Sequence, residues 1–167
     1  MTVLADLRCG DTTIRLRRAG VEDVPAIVAL LADDVLGSTR DGAGTDEELA
    51  PYLRAFRIVD ADPAQLLVVA CTGADTQPQV VGTMQLGFLP GLARRGAVRA
   101  QIEAVRIRSD QRGRRLGEAM ITWAVEEARR RRCAIVQLTS DKSRTDAHRF
   151  YERLGFVASH EGLKLAL

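Results

Sequence analysis

One stretch, residues 101–127, constrains the fold more than any other, because it reads as a strand, a basic glycine loop and a helix in succession. Residues 101–108 alternate with a period of two and include β-branched side chains, which predicts a strand. Its two faces would carry Ile102, Ala104, Arg106 and Arg108 on one side and Gln101, Glu103, Val105 and Ile107 on the other. The next residues are polar and basic and contain Gly113, which is typical of a loop. A helix is then predicted from near Leu116 by the spacing of Leu116, Met120, Trp123, Ala124 and Glu127.

This arrangement is suited to binding a phosphate group. The first turn of a helix offers free backbone N–H groups and the positive end of the helix dipole. Gly113 and Gly117 allow close approach of the backbone. Positive charge around the same point comes from Arg106, Arg108, Arg112, Arg114 and Arg115. The Gly-Lys-Ser/Thr ending of a Walker A loop and the three glycines of G-x-G-x-x-G are both absent from this stretch. The alternative is a basic loop that only remains solvated.

Composition limits the class of protein. A chain of 167 residues, with 46% hydrophobic and 28% charged residues, is expected to form one domain over residues 1–167. Its net charge of +2 is too small to favour nucleic-acid binding. The chain has no apolar run of membrane-spanning length and no basic, then apolar, N-terminal region. The cysteines at 9, 71 and 133 are odd in number and far apart, so we expect free thiols in a reducing cytoplasm, and with only two histidines no zinc spacing occurs.

The N-terminal half is predicted to begin with a strand at residues 13–18 whose Ile14 and Leu16 point inward. A helix would follow Gly20 and end at Gly37, with a buried stripe of Val24, Ile27, Val28, Leu31 and Val35. After a loop at residues 38–44, Thr45 and Glu48 have the spacing of a capping box. Because Pro51 fits poorly inside a helix, we expect the second helix to start nearer Ala50 and to run to about Val59.

The rest of the chain alternates strands and helices. Strands are predicted at residues 65–72 and 79–88, joined by a hairpin at 73–78, and a loop at 90–97 leads back into the strand at 101–108. Arg129 to Arg132 favour a helix C-terminus over a nucleic-acid patch. A strand at 134–140 should run parallel to the preceding one, since a helix joins them. A helix at 146–154 would end at Gly155, and residues 156–158 and 162–167 would form two edge segments.

Two motifs together resemble the GCN5-related N-acetyltransferase (GNAT) superfamily. The segment from Arg112 to Gly117 resembles its acyl-CoA pyrophosphate loop, R/Q-x-x-G-x-G/A, except that Arg115 stands where the pattern has its first glycine. Ala147-x-x-Phe150-Tyr151-Glu152-x-Leu154-Gly155-Phe156 resembles its C-terminal motif. The two motifs have the right order and separation, and the resemblance covers nearly the whole chain. The loop at 141–145 lacks an asparagine that many members carry there.

The resemblance implies an α/β domain with a mixed sheet of about six to seven strands. Its N-terminal half would be antiparallel, its central parallel strands would splay apart, and helices would flank the sheet. The implied reaction moves an acetyl group from acetyl-CoA to a primary amine, of a small molecule, by direct attack in a ternary complex and without a metal. Pantetheine would bind in the splay, on backbone groups of Val105 and Ile107. The full set of implied coenzyme A contacts is Val105, Arg106, Ile107, Arg112, Gly113, Arg114, Arg115, Leu116, Gly117, Glu118, Ser143 and Phe150.

Two residues are candidates for proton transfer. Glu103 lies nine residues before Arg112, as does a base-like Glu in some family members, and simple alternation puts it on one face with Val105 and Ile107. It would act as general base through a water; the alternative is an exposed or salt-bridged carboxylate. Tyr151 would be the general acid for the leaving thiolate, with a packing tyrosine as the alternative. His148 is interpreted as a surface or supporting residue.

Other functions remain open at this point. The acceptor could be a protein N-terminus or lysine, and a non-catalytic acyl-CoA-binding module would keep the same loop. A nucleic-acid-binding protein is disfavoured by the net charge. The acceptor pocket is expected from residues 38–45, the helix that follows and the 90–97 loop. Edge strands at the C-terminus would make a homodimer plausible.

Overall fold

A computed structural model describes residues 2–33, 41–73 and 78–166 of the chain. One mixed sheet contains its six strands in chain order: β1 (Val3–Cys9), β2 (Thr12–Arg18), β3 (Gln65–Thr72), β4 (Gln79–Pro90), β5 (Val98–Ile107) and β6 (Ile135–Leu138). In the described residues five α-helical segments accompany it: α1 (Val24–Ala32), α2 (Asp46–Ala61), the short turn α3 (Ala93–Gly96), α4 (Leu116–Arg130) and α5 (Thr145–Arg153). None of the helices described is long and apolar enough to cross a lipid bilayer.

The strand pairing confirms the predicted topology. Every neighbouring pair from β1 to β5 is antiparallel, and only β5 and β6, which α4 connects, are parallel. The strands predicted at 65–72, 79–88 and 101–108 form the expected meander. The sheet is thus antiparallel from β1 to β5 and parallel only in its last pair, β5 and β6, which needs the crossover connection that α4 provides.

Each face of the sheet is covered by a different set of helices. Because side chains of a strand alternate, β3 sends Val68 and Ala70 to one face and Val69 and Cys71 to the other. The first face packs against α4 in a core that includes Met120. We call this the α4 face. The second packs against α1 and α2, and we call it the α1 face.

Strand β1 was not predicted. Its residues Leu7 and Cys9 are buried in the α4-face core, and it pairs with β2 up to Cys9 and Thr12. The intervening Gly10 has a φ of 61°, so Gly10 and Asp11 form a two-residue hairpin connection. A Gly-Asp pair between two alternating segments is the sequence signal that predicts such a hairpin.

Two other expectations are wrong. Helix α2 begins at Asp46, not near Ala50, because the capping box forms: Thr45 Oγ1 accepts from the Glu48 N–H at 3.2 Å, and Glu48 Oε2 accepts from the Thr45 N–H at 3.1 Å. Pro51 therefore lies inside the helix, where it removes one backbone bond.

The second correction concerns the end of the chain. Residues 156–166 contain no strand, so the predicted C-terminal edge pair is absent there. The homodimer was expected from those edge strands, and this segment provides none to support it. The alternating leucines of this segment, Leu163 and Leu165, are exposed instead of paired. The predicted helix residues Val35 and Gly37, and the loop residues 38–40, lie outside the described residues.

Candidate active site

The two parallel strands, β5 and β6, separate part of the way along β5. β5 and β6 pair from Arg99 and Ile135 to Ile102 and Leu138, and β5 then continues to Ile107 without β6 beside it. We call this stretch the open edge of β5. It matches the expected splay and exposes backbone hydrogen-bonding groups to a ligand.

The orientation of those groups follows from the hydrogen bonds. The Arg108 N–H donates to the Val81 carbonyl at 2.9 Å, toward β4. Backbone groups of a strand alternate in direction, so those of Ile107 and Val105 point to the open edge. Their carbonyls accept from side chains: Arg106 Nη1 donates to Val105 O at 2.8 Å, and Arg112 Nε to Ile107 O at 3.1 Å.

A β-bulge interrupts β5 and overturns the simple alternation. Gln85 lies opposite Glu103, and Thr83 lies opposite Arg106. Between these two pairs β4 has one residue and β5 has two, so β5 carries one extra residue. Ala104 is the irregular residue, with a φ of 53°. Glu103 and Arg106 consequently share the α1 face.

Val105 and Ile107 are on the other side of the sheet from Glu103. Both pack against the α4-face core, and a Cβ added at Gly82 would lie 3.0 Å from the Ile107 side chain and 3.2 Å from the sulfur of Met120. The expectation that Glu103 shares a face with Val105 and Ile107 is therefore wrong. The physical reason is the extra residue, which reverses the parity of every position after it.

The basic loop ends at the start of α4, as predicted. Gly113 has a φ of 77°, and Arg115, the residue before the helix, has a φ of 61°. Arg115 thus takes the left-handed conformation of the glycine it replaces in the family pattern, although a Cβ disfavours it. Residues 112–115 are exposed, and the first-turn N–H groups of Leu116, Gly117 and Glu118 have no partner within the helix. This donor set fits a pyrophosphate.

Several side chains of the loop already have partners. Arg112 Nη2 donates to the Asp33 carbonyl at 2.8 Å and to its carboxylate at 3.2 Å, which ties the loop to the end of α1. Arg108 donates twice to Asp110, at 2.7 and 2.9 Å. These bonds lower the pKa of Asp110 to about 2. Arg114 and Arg115 are exposed on the same loop.

Gly117, in the first turn of α4, lies close to both the open edge of β5 and α5. A Cβ at Gly117 would lie 3.6 Å from the Phe150 ring and 3.8 Å from Ile107. The structure therefore brings together three of the predicted coenzyme A contacts. A single Cβ would make only ordinary contacts there, whereas a larger side chain would meet both neighbours.

Tyr151 of α5 is half-buried between two aromatic rings. Its ring centroid is 5.1 Å from that of Phe150 and 5.8 Å from that of Phe156, both in edge-on geometry. Burial raises the pKa of the Tyr151 hydroxyl, and the positive charges of Arg144 and then Arg106 partly oppose this shift. The phenol is thus kept protonated beside two guanidinium groups.

Ser143 and His148 support the loop between β6 and α5. The Ser143 hydroxyl and N–H donate to Asp141 Oδ1 at 2.6 and 2.9 Å, and these bonds lower the pKa of Asp141. The His148 Nε2 lies 2.9 Å from the Asp141 carbonyl, to which it donates when Nε2 carries the proton. The Ser143 hydroxyl is therefore engaged within the loop, and His148 has the supporting position expected of it.

Glu103 is exposed, and its carboxylate accepts from Gln101 Nε2 at 2.8 Å. Gln101 in turn accepts from Gln137 of β6 at 2.7 Å. Sequence reasoning missed both glutamines. Gln101 and Glu103 do share the parity of one strand face, but the contribution of Gln137 depends on the pairing of β5 with β6.

A cavity of about 470 Å³ opens between α1 and the start of α2. Its lining combines apolar side chains of α1 with the cap of α2: Pro25, Val28, Ala43, Gly44, Thr45, Asp46 and Leu49. It overlaps the region from which we expect the acceptor pocket, and that assignment stays a prediction. In residues 2–33, 41–73 and 78–166, no group of three or more His, Cys, Asp or Glu side chains could hold a metal ion.

Known proteins resemble the chain over most of its length. Residues 31–156 match the acetyltransferase (GNAT) family model. A transcriptional regulator from Bacillus halodurans C-125, known from its crystal structure, is 44% identical, with a TM-score of 0.85 over 92% of this chain and 99% of that one. The L-methionine sulfoximine/L-methionine sulfone acetyltransferase of Pseudomonas aeruginosa is 28% identical over 145 residues, 86% of this chain and 80% of that enzyme. Aminoalkylphosphonate N-acetyltransferase of Salmonella typhimurium is 37% identical over 60 residues, which cover only 36% of this chain and 39% of that enzyme.

Proposed function

Since the chain belongs to the acetyltransferase (GNAT) family and is an acyltransferase, we propose that it transfers an acetyl group from acetyl-CoA to the primary amine of a small molecule. The observation that carries the proposal is the open edge of β5 leading to the N-terminus of α4. Together they offer backbone donors and acceptors for an extended amide chain and N–H donors for a pyrophosphate.

Coenzyme A binding is assigned to three parts of the site. Gly113 and the first turn of α4 hold the pyrophosphate with backbone N–H groups, and Arg114 and Arg115 add positive charge. The backbone of Val105 and Ile107 binds pantetheine once the side chains of Arg106 and Arg112 release the carbonyls. Phe150 closes the groove beside Gly117.

Bound acetyl-CoA supplies the acetyl group as a thioester, which the amine nitrogen attacks. Glu103 accepts the proton of the amine through a water as the new C–N bond forms. An N–H at the open edge donates to the thioester oxygen as that oxygen gains charge. Tyr151 gives its hydroxyl proton to sulfur as the C–S bond breaks, and solvent then restores both groups. A free phenol has a pKa of about 10 and a thiol one of about 8.5. Because burial raises the pKa of the Tyr151 hydroxyl, the proton moves to sulfur only as the C–S bond breaks and negative charge develops there.

A small amine is favoured over a protein acceptor by two of the relatives. Their names describe acetyltransferases of aminoalkylphosphonates and of methionine sulfoximine and sulfone. These acceptors are compact, and the cavity between α1 and α2 has a volume that suits a compact ligand. The cavity lies on the α1 side of the sheet, which is also the face of Glu103.

The proposal is tested by following CoA release from acetyl-CoA against a panel of amino acids, aminoalkylphosphonates and N-terminal peptides. Turnover with a small amine, and little with peptides, is the expected result. Saturable acetyl-CoA binding without turnover on any amine would identify a binding module instead. Turnover confined to peptides would overturn the small-molecule acceptor but leave the acyltransferase in place.

A second candidate function, DNA binding, is favoured by one observation. The Bacillus halodurans relative is named a transcriptional regulator. The connection from β4 to β5 carries the exposed Arg94 and Arg95, and Arg99 is exposed at the start of β5; these side chains could contact phosphates. Binding to duplex DNA that weakens steeply with salt would support it, and its absence at low salt would exclude it.

A further inference from the structure

Three polar side chains form a series of hydrogen bonds on the face that carries Glu103. Gln137 of β6 and Gln101 of β5 are direct neighbours in the parallel pair. Gln137 Nε2 donates to Gln101 Oε1 at 2.7 Å, and Gln101 Nε2 donates to Glu103 Oε1 at 2.8 Å. The series crosses from β6 to β5 at the point where the two strands separate.

The direction of these hydrogen bonds is set by Glu103, the last side chain of the series. An ionised carboxylate can only accept, so Gln101 must turn its NH₂ group toward Glu103. The oxygen of Gln101 is then left to accept from the NH₂ group of Gln137. Reversal of either amide would place two donors or two acceptors against each other, so Glu103 orients both glutamines and they orient Glu103.

This coupling matters because Glu103 is exposed. An exposed glutamate has several rotamers of similar energy, and a general base must be held within hydrogen-bond reach of the proton it takes. We propose that Gln101 and Gln137 are positioning residues, which hold the Glu103 carboxylate in one orientation for proton transfer. The inference rests on the role of Glu103 in the proposed function.

The same face supplies a matched control. Gln85 lies directly opposite Glu103, but its Nε2 donates to Gln65 Oε1 at 2.9 Å, away from the carboxylate. Gln65 and Gln101 are both half-buried strand residues. Gln65→Met therefore removes an amide of the same kind from the same face without breaking the series.

The test is a set of double-mutant cycles for steady-state CoA release with the best amine. Gln101→Met keeps the side-chain length and removes the donor, and Gln101→Glu keeps the polarity but cannot donate at neutral pH. Each is expected to lower kcat about tenfold, a fraction of the contribution of a general base. Gln137→Met is expected to lower kcat about threefold, because it loosens Gln101 without removing it. Acetyl-CoA affinity and the denaturation midpoint should match those of Gln65→Met, which keeps full turnover.

The Glu103→Gln background separates positioning from a structural effect. If Gln101 and Gln137 act through the carboxylate, their substitution should have no further effect once Glu103 is replaced. Equal losses in both backgrounds, or full turnover of Gln101→Met while Glu103→Gln is impaired, would overturn the proposal and leave Glu103 as base. Full turnover of Glu103→Gln by itself would instead remove the base from the proposed function, and the positioning role with it.

Discussion

Glu103 and Arg106 lie on the same face of the sheet, although they are three residues apart on one strand. Their cross-strand partners, Gln85 and Thr83, are only two residues apart, so β5 contains one more residue than β4 over this interval. The extra residue is Ala104, whose φ is 53°. The bulge therefore decides which side chains of β5 lie on the α1 face and which lie on the α4 face.

The bulge predicts an unusual sensitivity at Ala104. The Cβ of alanine is already disfavoured at this φ, and Ala104→Val adds β-branching to it, so the free energy of unfolding should fall by about a further 1 kcal/mol. Ala104→Gly is the control and should stay within about 1 kcal/mol of the parent, because glycine accepts this φ. Urea denaturation measures both. A Val variant as stable as the Gly variant would contradict the bulge geometry.

The sequence predicts the elements well where the apolar period is long. β3, β4, β5 and α4 all carry buried side chains at regular spacing, so their positions and pairing could be inferred. The bulge could not, since alanine carries no sign of a positive φ in the way that glycine does. The same holds for Arg115, which takes a left-handed conformation without being glycine.

Other misses have different causes. The C-terminal residues Leu163 and Leu165 have the alternation of a strand, but pairing is a tertiary event that a pattern alone does not supply. The contacts of Glu103 with its neighbours also depend on pairing. Gln137 is 34 residues from Glu103 in sequence, and only the parallel register of β5 and β6 connects them.

Stability on the α1 side should depend on one buried ion pair. Arg17 Nη1 and Nη2 donate to Asp23 at 2.6 and 2.7 Å, and both side chains are buried. Asp23→Ala leaves the guanidinium buried without its carboxylate and should cost about 3–5 kcal/mol. The pair Arg17→Met with Asp23→Asn removes both charges, keeps an acceptor for the Gly20 N–H, and should recover most of that loss. Chemical denaturation compares them; equal instability of the single and double variants would show that the charge is not the cause.

Coenzyme A binding should depend on the close approach at Gly117. Alanine fits there, because its Cβ would meet Phe150 at an ordinary 3.6 Å. The methyl groups of Gly117→Val would press into Phe150 and Ile107 and displace the first turn of α4, whose N–H groups are assigned to the pyrophosphate, so the affinity for acetyl-CoA should be weaker by about tenfold or more. Calorimetric titration of both folded variants measures this. An unchanged dissociation constant for the valine variant would contradict the placement of coenzyme A at this loop.

Turnover should depend on the carboxylate of Glu103. Glu103→Gln keeps the size of the side chain and removes the base, so kcat should fall about 100-fold. The loss should be partly recovered at high pH, because an amine of pKa near ~10 then loses its proton unaided. The pH profile of kcat for the parent and the variant tests this. A change in KM alone would assign Glu103 to acceptor binding.

The pH dependence of Tyr151 follows from its burial. Because its pKa is raised above the value of 10 of a free phenol, the neutral form is favoured in the folded protein. The stability this contributes is fully present below pH ~10 and is lost as pH rises through the raised pKa. The hydroxyl therefore keeps its proton between about pH 7 and 9, so any decline in the pH profile of kcat in that range must come from another group.

Tyr151→Phe separates catalysis from packing. The variant removes one oxygen and keeps the ring that contacts Phe150 and Phe156. If the hydroxyl protonates the leaving sulfur, its interaction forms only in the transition state, so kcat and kcat/KM should fall together while the affinity for acetyl-CoA is unchanged. General acid catalysis supplies about 10²–10⁴-fold, and water can replace part of it, so we expect a loss of about 10- to 1,000-fold. CoA release at saturating amine measures the loss, with a melting curve and a binding titration as controls. A packing tyrosine would give the opposite pattern, a lowered melting temperature with full turnover, and Tyr151 would then have no part in the proton transfer.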